Sequence, residues 1–110
     1  MSFAISRAEL KRVSAMIYEV LFQTIDPARR DEYVGVFREA FRGADFAGAH
    51  EGKILKCIED PSRVVVVIEW DSVEAHTRHR GTPPHTAFRE RIGAYQTAPT
   101  QGAHYEIADL

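Results

Sequence analysis

The chain has 110 residues, enough for one domain, and its 45% hydrophobic and 27% charged residues are an ordinary globular composition, not a disordered one. Its 14 basic and 16 acidic side chains give a net charge of −2 and a pI near 6.2, with no basic stripe, which argues against nucleic-acid and acidic-membrane partners. The single cysteine, Cys57, excludes an intrachain disulfide, and no apolar run approaches the roughly 20 residues of a membrane span, so the expected setting is cytoplasmic.

Residues 1–14 read as a helical extension, since Ser6 and Glu9 have capping-box spacing, and the domain proper is expected over 15–110. Met16 to Thr24 reads as the first strand. Met16, Tyr18, Val20 and Phe22 alternate onto a fully apolar face, while Ile17, Glu19, Leu21 and Gln23 make the other face mixed. One face is expected to pack helices, and the other to meet a pocket or a partner subunit. Asp26-Pro27 then opens a helix, Asp as N-cap and Pro in the first turn. Tyr33, Val34, Phe37, Ala40 and Phe41 form its apolar stripe, and Gly43 is the expected stop.

His50 to Glu59 reads as the second strand, Asp60-Pro61-Ser62 as a turn and Arg63 to Trp70 as the third strand. The β-branched run Val64 to Ile68 is apolar on both faces, which marks a central strand. Cys57 reads as a small buried hydrophobe. Asp71 and Glu74 suggest a capping box for a helix from about Ser72 to Arg80, ended by Gly81. Thr82 is the expected cap of a second segment, with His85, Phe88, Ile92 and Tyr95 on one face. Gln101 to Ile107 closes as a strand that alternates Ala103, Tyr105 and Ile107 against His104 and Glu106.

The order β-α-β-β-α-β predicts an α+β, ferredoxin-like domain with a four-stranded antiparallel sheet. Helices on one face leave the other bare, and a second copy of the sheet is the expected cover, giving a homodimer.

The run Val66-Val67-Ile68-Glu69-Trp70-Asp71-Ser72-Val73-Glu74-Ala75-His76 resembles the hallmark of the antibiotic biosynthesis monooxygenase family, a strand ending in Glu-Trp before a helix that starts Ser-x-Glu-Ala-His. Pro83-Pro84-His85 and Phe88-Arg89 resemble that family's second half-helix, and the likeness extends over about Met16 to Ile107. The resemblance implies a dimeric α+β barrel. For activity it implies oxidation of aromatic polyketides or quinols by dioxygen without flavin, metal or haem, although other members degrade haem, isomerise small molecules or have no known activity.

The histidines around the helix break are the chemical candidates. Imidazole in a largely apolar cavity exchanges protons near neutral pH, as removal of a phenolic or enolic proton before reaction with dioxygen requires. His76 and His85 are the expected catalytic bases, and Tyr18, Trp70, His79 and Arg89 the expected substrate contacts. Each has a plainer reading: His79 between Arg78 and Arg80 as solvent-facing, His85 and Trp70 as packing, Arg89 as a surface charge. A metal centre on His76, His79 and His85 is disfavoured because Pro83-Pro84 breaks the helix between them and no carboxylate completes the set. The position matching the haem-ligating histidine of the haem-degrading branch falls near Arg89, which cannot ligate. No cofactor is therefore expected. The leading expectation is a cofactor-independent monooxygenase acting on a small aromatic molecule and dioxygen. The alternatives are a proton-transfer isomerase or cyclase, and a non-catalytic ligand-binding dimer.

Overall fold

A computed structural model describes residues 16–108; the helix expected over 1–14 lies outside them. The elements are β1 (Ile17–Thr24), a 3₁₀ turn (Pro27–Arg29) leading into α1 (Arg30–Ala44), β2 (Ala49–Lys56), β3 (Arg63–Trp70), α2 (Val73–Thr77), α3 (Pro83–Gly93) and β4 (Gln101–Tyr105). The strands form one sheet in the order β2-β3-β1-β4, every neighbouring pair antiparallel. This is the ferredoxin-like arrangement that the sequence predicts, with the two βαβ units interleaved.

Local chemistry sets most boundaries. The Asp26 carboxylate accepts from Ala28 N–H at 3.0 Å and starts the 3₁₀ turn, with Pro27 in its first position. Helix α1 runs past Gly43, and Asp45 ends it in the left-handed region (φ 47°), its N–H bonding back to the Phe41 carbonyl. At α2 the cap is Ser72, whose hydroxyl accepts from Ala75 N–H at 3.0 Å; Asp71 instead holds His50 at 2.6 Å. The expected long helix stops at Thr77 and passes through turns to Gly81 (φ 77°), after which Thr82 is the N-cap position of α3.

The core lies between the sheet and α1 and α3, built from Tyr33 and Phe37 of α1, Val64, Val66, Ile68 and Trp70 of β3, and Ile92 of α3. Register decides what β1 contributes. Ile17, Glu19, Leu21 and Gln23 pair with Trp70, Ile68, Val66 and Val64, all buried beneath the helices. The mixed face of β1 is therefore the helix-facing one. The apolar face with Tyr18, Val20 and Phe22 is the open side of the sheet, in line with Glu69, Val67 and Val65 of β3. The polar groups turned inward are tolerated because each has a partner: the Tyr33 hydroxyl donates to Gln23 Oε1, and Trp70 and His76 engage Glu19. Among the described residues no helix is long and apolar enough to cross a membrane.

Candidate functional site

A cleft of about 980 Å³ opens between the helix-facing side of the sheet and α3. Leu21, Ile68, Phe41, Phe46 and Phe88 give it apolar walls; Glu19, His76, His85, Arg80, Arg89 and His104 supply the charged and titratable groups. Such a volume, with apolar rings on its walls and many polar and charged groups among them, has room for a small organic molecule that carries polar substituents.

Three elements converge at one wall. Glu19 projects from β1, His76 from α2 and His104 from β4. His76 Nε2 lies 3.2 Å from Glu19 Oε2, and His76 Nδ1 lies 2.7 Å from His104 Nε2. The other Glu19 oxygen accepts from the Trp70 indole N–H at 3.0 Å. His76 is only 5% exposed, and its ring lies over Trp70 with centroids 4.8 Å apart and planes inclined by 30°. Its Nδ1 is hydrogen-bonded to His104, and its Nε2 faces the Glu19 carboxyl.

Burial, reinforced by His104 and Arg80, pushes the His76 pKa down to about 4, so the imidazole is neutral at pH 7. Burial raises the Glu19 carboxyl pKa, while the Trp70 hydrogen bond and Arg80 oppose that and favour the ion. The Glu19 carboxyl thus sits at ion-pair distance from a neutral imidazole and takes its hydrogen bond from Trp70. His85, which also lines the cleft, is lowered by burial and then by Arg89, His79 and Arg80.

The structure brings together His76, His85, Trp70 and Arg89 of the six sequence-derived candidates. Tyr18 is on the opposite face of the sheet, paired with Glu69 and Tyr105, because β1 turns its mixed face inward. His79 is half-buried and structural in its contacts: its Nε2–H donates to the Ala47 carbonyl at 2.9 Å, and its ring packs on Phe46 and Trp70. Trp70, 2% exposed, serves both as core and as the donor that fixes Glu19.

Sequence reasoning passed over Glu19 and His104. The available signal for Glu19 was an ionisable side chain between Ile17 and Leu21 on one strand face. His104 had no such signal, since only the register Glu19↔His104 between β1 and β4 brings it to the site. Among the described residues no group of three or more His, Cys, Asp or Glu side chains has the geometry to hold a metal ion.

The family model for antibiotic biosynthesis monooxygenases matches residues 16–91 of this chain. No protein of curated function matches the sequence. Among solved structures, a Bordetella bronchiseptica protein described as an antibiotic biosynthesis monooxygenase superposes with a TM-score of 0.79 at 23% identity, over 86% of this chain and 98% of that one. The Streptomyces coelicolor monooxygenase ActVA-Orf6, solved with nanaomycin D, gives 0.74 at 17% identity, over 93% and 96%. SnoaB, a cofactor-independent oxygenase from Streptomyces nogalater, gives 0.68 at 16% identity, over 87% and 96%. At these identities the structural likeness establishes the shared fold.

Proposed function

Since this chain belongs to the antibiotic biosynthesis monooxygenase family, we propose that it is a cofactor-independent monooxygenase that oxidises a small aromatic quinol, anthrone or polyketide-like molecule with dioxygen. The observation that supports this reading is a buried, neutral imidazole hydrogen-bonded to His104 and set beside the Glu19 carboxyl in the wall of the cleft. Proton removal leaves an electron-rich phenolate or enolate, which gives an electron to dioxygen; the radical pair combines as a peroxide, and loss of water leaves one oxygen atom on the substrate. Such a reaction needs a dry pocket, a base and donors for developing negative charge. His76 supplies base capacity and Arg89 a cation at the cleft. His85 is a second base, its ring centroid 6.5 Å from that of His76. That SnoaB is a cofactor-independent oxygenase and that ActVA-Orf6 binds nanaomycin D support the same reading.

The working unit in this proposal is a homodimer. The open face of the sheet carries rows of side chains in register: Leu55, Val65 and Phe22; Val67, Val20 and Ala103; Glu69, Tyr18 and Tyr105. Leu55, Phe22 and Tyr105 are 52%, 50% and 50% exposed, and a second copy of the same sheet would cover them.

Dioxygen consumption by chelator-treated protein, measured against a panel of anthrones and hydroquinones, tests the activity. Protein-dependent uptake that ignores the chelator is the expected result. No uptake across the panel would remove the monooxygenase reading in favour of proton-transfer isomerisation or simple ligand binding.

A further inference from the structure

We propose that Arg80 and Arg89 form an anion-binding rim on the cleft, and that the substrate is an aromatic carboxylic acid whose carboxylate they hold. This rests on the reading of the cleft as the substrate site, and not on the dioxygen chemistry proposed for it above.

His85 and Arg89 are four residues apart on α3, so they share one helix face, and both line the cleft. Arg80 reaches the same cleft from the turns before Gly81. Both arginines are exposed and yet line the cleft, which places them at its rim. Neither makes an ion pair among the described residues. Unpaired arginines are ordinary on a protein surface, and Arg78 is another, but Arg78 does not line the cleft. Arg91, two residues beyond Arg89, turns to α1 instead and pairs with Glu39 at 3.2 Å.

Two carboxyls line the cleft as well, and neither supplies the missing partner. Glu19 lies on the sheet, where it accepts from the Trp70 indole and faces His76. Glu90 follows Arg89 on α3 and so projects about 100° round the helix from it. Around His85 the charge is cationic: burial lowers its pKa, and Arg89, His79 and Arg80 lower it further.

A simple inorganic anion would use only these charges. The wall beside them is aromatic, with the Phe46 ring centroid 5.8 Å from that of His85 and 5.5 Å from that of Phe88. An aryl acid uses both features. Its ring packs on the phenyl rings, and its carboxylate meets planar guanidinium groups that match it in shape and charge. At the rim the carboxylate keeps part of its water, which avoids the full cost of burying a charge. Anchored there, the ring extends inward to the stretch of cleft lined by His76 and His104. The two arginines thereby select the substrate and set its orientation.

Anaerobic titration calorimetry of the full chain measures this without turnover. The probes are naphthalene and anthracene carboxylates, each matched with its carboxamide, which keeps the ring and loses the charge. The wild type should bind at least one acid roughly tenfold or more tighter than its amide. Arg80→Gln and Arg89→Gln should each weaken the acid severalfold, and the double variant should erase the preference while amide affinity holds. Arg78→Gln removes the same charge away from the cleft and should leave the preference intact. Acids and amides that bind alike, no acid that binds at millimolar concentration, or a preference that survives the double variant would overturn the proposal. A preference lost equally in Arg78→Gln would assign it to net charge and would overturn the proposal too. Acid preference in a protein that consumes no dioxygen removes the monooxygenase reading and leaves the rim standing. Uptake that is equal for hydroquinones with and without a carboxylate does the reverse.

Discussion

Glu19 and His104 stand opposite each other on paired strands, and His76, reaching down from α2, hydrogen-bonds His104 and lies 3.2 Å from the Glu19 carboxyl. Three residues spread over most of the sequence thus meet through one imidazole. Several measurable properties depend on how that imidazole and its surroundings are held.

The first is acid stability. Folded His76 stays neutral down to about pH 4, whereas the unfolded side chain takes up its proton near pH 6.5. Between those values the unfolded state binds more protons, so the His76 contribution is fully present above pH 6.5 and is lost as the pH falls toward 4. His85 adds in the same direction, and Glu19, with its raised carboxyl pKa, acts in the opposite one. Urea midpoints measured from pH 7 to pH 4 should fall more steeply for the wild type than for His76→Gln. Parallel curves would show that His76 is not held neutral.

Gly48 is expected to resist substitution. Its φ is +87°, and a Cβ placed there would lie 2.8 Å from the Ala75 Cβ, which has nowhere to move. Its carbonyl also accepts from Asp71 N–H at 2.8 Å, tying the loop before β2 to the start of α2. Gly48→Ala should cost about 1–3 kcal/mol from backbone strain alone, with more from the clash, read by equilibrium unfolding. Gly43→Ala, where nothing lies within 4 Å, is the control and should be neutral or mildly stabilising.

Tyr33→Phe tests the inward-facing polar side of β1. The Tyr33 ring is fully buried, and its hydroxyl donates to Gln23, itself 3% exposed. Removing the hydroxyl leaves a buried amide oxygen without that donor, at a cost of about 1–3 kcal/mol. A Gln23→Leu, Tyr33→Phe double variant should recover part of this, since both polar partners are then gone.

Phe22→Glu tests the open sheet face. A charge in the middle of that face should shift the protein from dimer to monomer in sedimentation velocity while the circular dichroism of the fold is kept. A wild type that sediments as a monomer at micromolar concentration would remove the dimer proposal.

The element order was legible in the sequence because each signal was local. Asp26 sits where a cap was sought, Ser72 caps α2 one residue after the expected Asp71, and β3 spans Arg63 to Trp70 as its β-branched run implies. What did not read through was which side of β1 faces the helices. Hydrophobicity favours the side of Tyr18, Val20 and Phe22, and would be right if burial beneath the helices were the only demand on the strand. Glu19 and Gln23 go inward because Trp70 and Tyr33 bring hydrogen-bond partners from elsewhere in the chain, which no alternation pattern records. The same holds for His104, whose place depends on a pairing between residues 85 positions apart.

Helix α2 hangs His76 over a partner on β4, a five-residue edge strand that pairs with β1 alone and whose side chains, His104 apart, are exposed. Edge strands with so little burial open at lower free energy than the core they border. Peeling β4 away would leave the β1–β3 pairing and the aromatic core standing while it carries off His104, the hydrogen-bond partner of His76. Heat or denaturant should therefore abolish turnover before the fold melts, and backbone amide exchange of residues 101–105 would time the loss of the site.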